Sequence, residues 1–183
     1  MTRAMRADSE RTVQVILEAA ERVLRADPAA SMAQIAEAAG VARTTVHRRF
    51  ASREALVEAM AVWAAEQFRD AVAAARPDSA PPLVALHQVT VNVLRVKADW
   101  GFAMSRTAVG EGECIHEEVR QACVRLFQRA KDSGALRSDV DGEWARRVYY
   151  ALIHEAVEVG QGGDDVDELA ARVVDTLLTG VGA

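Results

Sequence analysis

Apolar residues recur at helical spacing along almost the whole chain. Val13, Ile16, Leu17, Ala20 and Leu24 fall at i, i+3, i+4, i+7 and i+11, one face of a first helix. Asp27-Pro28 ends it, because the residue before a proline is pushed out of the helical region. Ser31 opens a second, short helix, and Gln34 three residues on completes a capping-box pattern. Met32, Ile35, Ala36 and Ala39 give that helix a buried face, and Gly40 suits the left-handed turn that stops it. Ala42 to Phe50 reads as a third helix anchored by Val46 and Phe50. Ser52 is placed to cap a long fourth, with Leu56, Met60, Trp63 and Gln67 following at near-helical intervals.

Arg76-Pro77-Asp78-Ser79-Ala80-Pro81-Pro82 is the clearest breaker in the chain. Beyond it Val89, Val91 and Val93 alternate as a strand would, yet Leu86, Val89, Val93, Val96 and Trp100 also form a helical face. The longer period and the helical surroundings predict a helix. Ile115, Val119, Ala122, Leu126 and Ala130 mark another, closed by Ser133-Gly134. Asp141 can cap the next, with Trp144, Val148, Leu152 and Ala156 as its stripe. Gly160-Gln161-Gly162-Gly163 reads as a loop. The last helix carries Val166, Leu169, Ala170, Val173, Val174, Leu177 and Leu178. The expected fold is all-α with about nine helices.

Composition fits a soluble globular protein. Of 183 residues 50% are hydrophobic and 27% charged, enough apolar surface for a core without disorder. No run approaches the roughly 18 apolar residues of a membrane span. Arg3 and Arg6 are followed by no apolar stretch, so no signal peptide is expected and the chain should be cytoplasmic. Cys114 and Cys123 are too few for a disulfide framework. Nine residues apart on one helix, they face opposite ways. Cys114 with His116 is a weak metal signal, and no cofactor motif is present.

The formal net charge is −5, which argues against a generally basic nucleic-acid binder. Its distribution changes that picture. Residues 1–56 hold nine Arg and seven acids, whereas residues 57–183 hold thirteen Lys or Arg and twenty acids. The sixteen residues between Glu37 and Glu54 contain Arg43, Arg48, Arg49 and Arg53 and no acid. A local basic patch on an acidic body suits a protein that docks DNA with one end.

That patch coincides with two short helices meeting at Gly40. Ala36 is small enough for close packing, and Val41 and Val46 supply contacts across the angle. This is a helix-turn-helix pattern, in which the second helix enters the major groove. Ala42, Arg43, Thr44, Thr45, His47, Arg48 and Arg49 are its candidate DNA contacts, since threonine offers a methyl or hydroxyl and arginine a fork to guanine. Ser31 and Arg53, at starts of neighbouring helices, are candidate phosphate contacts. The run from Gly40 to Leu56, with Ile35-Ala36 and the N-terminal amphipathic helix, resembles the signature of the TetR/AcrR family of repressors over residues 10–57. Two positions depart from it. His47 stands where the family usually has a tyrosine, and Arg53 where it commonly has a lysine. A protonated histidine would offer phosphate two donors, so operator affinity is expected to rise in mild acid.

The resemblance implies two domains, a DNA-binding domain over 1–56 and a ligand-binding and dimerisation domain over 57–183. It implies a homodimer through the last two helices, which would present two recognition helices to a pseudo-palindromic operator in double-stranded DNA. It also implies a small-molecule effector that releases a repressor. Trp63, Phe68, His87, Trp100, Met104, Phe127, Tyr150 and His154 are candidates for an apolar pocket. Tyr150 and His154, four apart, could pair, and Arg106 could meet a ligand carboxylate. Two other readings stand beside this one. A helix-turn-helix protein without small-molecule control would keep the reader and lose the pocket. An enzyme could use His87, His116, His154 and Glu155 for acid–base work, but no nucleophile motif, metal spacing or phosphate loop accompanies them.

Overall fold

The computed structural model describes residues 3–106, 111–160 and 165–181, with side chains from Asp8 onward and without that of Glu111. Of the glycine-rich loop expected over 160–163, all but Gly160 lies outside them, as do the side chains of Arg3 and Arg6. Among the described residues eight helices follow one another: α1 (Arg3–Ala26), α2 (Met32–Ala38), α3 (Arg43–Arg49), α4 (Arg53–Ala74), α5 (Pro82–Met104), α6 (Glu111–Asp132), α7 (Gly142–Val159) and α8 (Val166–Val181). The fold is all-α. The expected nine differs by the status of α5, which is broken at Trp100 (φ −123°, ψ 31°) and amounts to two helical pieces. Among the described residues no helix is long and apolar enough to cross a membrane.

The chain forms two compact units, one within Met1–Ala64 and Trp100–Val109, the other within Ala65–Asp99 and Gly110–Ala183. In the first, α1 packs on α2 and α2 on α3. Its core is the α1 stripe of Ile16, Leu17, Ala20 and Leu24, joined by Ile35, Val46, Leu56 and Met60, all fully buried. The helix ends are set by local chemistry. Ser31 and Gln34 form the reciprocal capping box at the start of α2, which satisfies two backbone donors that a helix cannot pair internally. Gly40 adopts φ +66° in the turn between α2 and α3, a conformation that costs glycine little. Ser52 Oγ accepts the Ala55 N–H at 3.1 Å and opens α4.

In the second unit α7 packs on α6 and on α8. The three alternating valines of α5, at 89, 91 and 93, are all buried. This stretch of α5 is covered over most of its circumference, with only Gln88 and Arg95 open to solvent between Leu86 and Lys97, so apolar residues occur at several phases and the segment also reads as a strand. Tyr149 of α7 is the centre of the core. Its ring lies 5.6 Å from that of Phe127, and its hydroxyl is 2.8 Å from Thr90 Oγ1. Thr90 donates its own proton to the Leu86 carbonyl, so Tyr149 is the donor in this pair. Burial pushes the phenol well above its ordinary range and keeps it protonated for that bond. At the surface Arg125 grips Asp78 through both guanidinium arms, and Arg129 donates to the Pro77 and Ala80 carbonyls. The breaker segment is thereby strapped to α6.

The stripe expected on α7 is one residue out of phase. Ala145, Tyr149 and Ile153 are buried, while Val148, Leu152 and Ala156 are half-buried and Trp144 is 61% exposed. The inward row is anchored by the large Tyr149, which a count of aliphatic residues overlooks. The α8 stripe stands as expected, with Leu169, Ala170, Val173, Val174 and Leu177 buried.

The Thr90–Tyr149 pair makes an asymmetric prediction. Thr90→Val strands a buried phenol donor and should destabilise the protein by about 1–3 kcal/mol. Tyr149→Phe removes the donor itself and leaves Thr90 bonded to Leu86, so it should cost less, about 0.5–1.5 kcal/mol. Urea denaturation of both variants checks the order; equal costs would contradict the assigned donor.

Candidate nucleic-acid interface and effector region

The seven residues of α3 divide cleanly between anchoring and display. Val46 is fully buried and Phe50, the C-cap, is 7% exposed. Those two side chains seat the helix. Arg43, Thr44, His47, Arg48 and Arg49 are exposed and Thr45 is half-buried. Arg43 with His47, and Thr44 with Arg48, are four apart and share one outward face. Ala42, exposed, is the N-cap in extended conformation (φ −65°, ψ 141°) without a side-chain cap bond.

Charge pairing separates this helix from much of the second unit, where Arg76, Arg147 and Arg172 are the arginines outside an ion pair or a backbone strap among the described residues. In the second unit Arg95, Arg120, Arg125, Arg137 and Arg146 each hold a carboxylate within 3.1 Å. Among the described residues none is recorded as a partner to the side chains of Arg43, Arg48 or Arg49. Three cations on an exposed helix that the protein leaves unneutralised form a ready counter-surface for phosphate.

Ser31 and Arg53 have structural duties. The Ser31 hydroxyl donates to Gln34 Oε1 at 2.8 Å and accepts the Gln34 N–H at 3.4 Å, so its polar capacity goes largely into the cap of α2. The half-buried Arg53 guanidinium donates to the carbonyls of Pro28 and Ala30. It ties the start of α4 to the α1–α2 connection.

The eight candidate effector residues are distributed over both units. In the first, Trp63 and Trp100 pack with ring centroids 6.4 Å apart and Met104 is half-buried. In the second, Phe127 is buried, and Phe68, His87 and Tyr150 are half-buried. His154 is exposed. Tyr150 stacks on Tyr149 at 6.0 Å and lies 4.6 Å under the Arg146 guanidinium, so its engagement is with Arg146 rather than with His154. Arg106 covers the Phe102 ring at 4.4 Å. A cavity of about 300 Å³ opens in the second unit between the end of α4 and α6. Val72, Val119 and Ala122 floor it and Arg69, Arg76 and Arg125 rim it; none of the eight candidates lines it.

Three residues were missed from sequence. Tyr149 and Arg146 are buried at 1% and 8% exposure, and the period 145–149–153 was the signal for the first. Glu21 is 2% exposed; a carboxylate four residues after Leu17 and three before Leu24, on an apolar face, was its signal. Of the cysteines Cys123 is buried and Cys114 exposed. Burial pushes the Cys123 thiol up, which makes it a poor nucleophile. Among the described residues no cluster of His, Cys, Asp or Glu could hold a metal ion.

A short anchored helix displaying free cations, set after a tight glycine turn in an all-helical chain, defines a helix-turn-helix DNA-binding regulator. The model of the bacterial regulatory proteins of the tetR family matches residues 16–60. The HTH-type transcriptional repressor LfrR of Mycolicibacterium smegmatis is 30% identical over 175 residues, 94% of this chain and 91% of the relative. The crystal structure of LfrR from Mycobacterium smegmatis in complex with proflavine has a TM-score of 0.77 at 30% identity, covering 96% of this chain and 99% of that one. The FadR regulator from Bacillus subtilis, solved with stearoyl-CoA, shares the fold with a TM-score of 0.70 at 20% identity, over 92% and 98% of the two chains. The chain belongs to the TetR family and is a transcriptional repressor of that family. Regulators of this family bind operator DNA and small-molecule ligands and are typically dimers.

The two arginine roles predict opposite outcomes. Arg53→Met removes charged hydrogen bonds to two backbone carbonyls and should cost about 1.5–3 kcal/mol of stability. Arg48→Ala, on the open face, should stay within about 0.5 kcal/mol of the parent. Thermal unfolding of the two variants gives the comparison.

Proposed function

We propose that this regulator occupies a pseudo-palindromic operator through α3 and leaves it when a small, largely apolar molecule binds. The observation that carries the DNA half is the unpaired set Arg43, Arg48 and Arg49 on the exposed face of a helix seated by Val46 and Phe50. Thr44, Thr45 and His47 add base-edge and phosphate contacts along the same helix, and Ala42 lets its N-terminus approach closely. Ser31 and Arg53 stand at the flanks, where the part of each group not used in the fold can meet the backbone. The chain works in the cytoplasm, where operator DNA is, and performs no catalysis.

For the effector, the 30% identical LfrR was solved with proflavine, a flat aromatic molecule. The half-buried Phe68, His87 and Tyr150, with the buried Phe127, offer this chain aromatic surface in its second unit. Proflavine is therefore the first probe to try. Ligand weakens DNA binding only as far as it prefers the non-binding state.

Operator binding is tested with duplex recovered by the wild-type chain from a random pool. Arg48→Ala should weaken that complex roughly 5- to 150-fold for each half-site, the value of one good arginine contact. The slope of log K against log salt should be steeper than about −1.8, equivalent to two neutralised phosphates. Unchanged affinity in the variant would remove α3 as the reader.

Dimerisation through α7 and α8 is supported by what the monomer leaves open. Trp144 and Val159 are 61% and 58% exposed, on a helix whose Val148, Leu152 and Ala156 are only half-covered. A second copy would bury this apolar row. Trp144→Glu should shift the protein toward monomer in light scattering after gel filtration, with helicity retained. A dimer of unchanged stability would place the interface elsewhere.

A further inference from the structure

α5 begins in the second unit and ends in the first. At Trp100 its backbone leaves the helical region, and a short helical end runs on to Met104. A break of this kind creates a new helix start, whose first N–H groups need partners from outside. Two of them find one side chain. Phe102 N–H donates to Glu21 Oε1 at 2.8 Å and Ala103 N–H to Glu21 Oε2 at 2.9 Å. Arg25, one turn further along α1, donates to the same carboxylate at 2.8 Å. Glu21 is 2% exposed. A carboxylate so deeply buried is tolerated only when its charge is paired and its oxygens are bonded, and here both conditions hold. The Trp63–Trp100 contact fastens the same break to α4.

α1 is also the helix on which α2 and the reader are built. Its buried stripe of Ile16, Leu17, Ala20 and Leu24 lies on the side that carries Glu21. We infer that Glu21 is a positioning residue for DNA recognition, the joint through which a change in α5 reaches α1 and so the α2–α3 pair. This rests on the DNA-binding reading above. Capping alone would require only that the end of α5 be satisfied. Placing the cap on the support helix of the reader makes the position of the reader depend on α5.

The test compares Glu21→Gln with Arg25→Met in the full-length chain. Glutamine keeps the size of the side chain but presents a donor where one backbone N–H needs an acceptor. Amide exchange at Phe102 and Ala103 should quicken at least tenfold in Glu21→Gln and much less in Arg25→Met, which keeps both acceptors. In a Trp144→Phe background the emission of Trp63 and Trp100 should shift with Glu21→Gln. Affinity for the duplex recovered by the wild-type chain should fall at least fivefold, while amides over Met32–Arg49 keep their protection. Unchanged exchange at Phe102 and Ala103, or unchanged duplex affinity, overturns the inference. Loss of protection over Met32–Arg49 in step with affinity also overturns it, because the effect is then plain destabilisation. If the wild-type chain itself recovers no duplex, the DNA-binding reading fails and takes this inference with it; failure of Glu21→Gln alone leaves that reading standing.

Discussion

A helix of seven residues has too few internal hydrogen bonds to hold itself together in water, so α3 exists only because Val46 and Phe50 are buried in the first unit. Everything else about α3 follows from that constraint. Two positions four apart are surrendered to the core. The remaining side chains face outward without packing duties, and they can therefore be chosen for what they contact. The core that receives Val46 must in turn be rigid, and the stripe of α1 with Ile35, Leu56 and Met60 supplies it. Arg53 and the Ser31–Gln34 cap hold the connections around that core to fixed lengths.

The distribution of charge follows the same division of labour. The chain is acidic overall, with a formal charge of −5, yet its arginines are spent differently in the two units. On the second unit most are neutralised in pairs or, like Arg129, used as backbone straps, with Arg76, Arg147 and Arg172 outside any ion pair among the described residues. On α3 they are left bare. Exposed ion pairs contribute little to stability, so the pairing on the second unit bears on the charge of that surface more than on its strength. If α3 meets DNA as proposed, an acidic body would repel the duplex elsewhere and favour one docking orientation.

The helices and their boundaries were legible because they are set by local chemistry. Ser31–Gln34, Gly40, Ser52 and Asp141 act within three or four residues, and each performs the expected duty. The division of α3 into anchors and exposed positions was legible for the same reason, since two buried and five exposed residues are contiguous in sequence. The facing of α7 was not. Its outward row of Trp144, Val148 and Leu152 is as apolar as its inward one, and which row meets α6 and α8 depends on Tyr149 finding Thr90 across 59 residues. The effector candidates were chosen by residue type, which does not decide unit or depth. His154 ends exposed, Phe127 buried, and Trp63 with Trp100 in the first unit. Glu21 is legible only as an anomaly, because its partners are backbone amides whose freedom comes from a break no residue pattern announces.

That break sets the scale on which control can work. Coupling between effector and operator sites is typically worth about 1–3 kcal/mol. A hydrogen bond to a charged group contributes about 1.5–3 kcal/mol, and the buried Glu21 carboxylate takes three. An effector with that coupling cannot afford to tear the joint open. On the inference drawn above, it would displace the end of α5 with its bonds intact, and α1 would follow. On that inference the joint would convert a modest preference at the ligand into a rigid movement of the helix beneath α3. A softer connection, by apolar contact alone, would let α5 slide over α1 and dissipate the same preference. The kink at Trp100 and the acid that caps it are for this reason one device: the first exposes the amides, and the second makes them transmit.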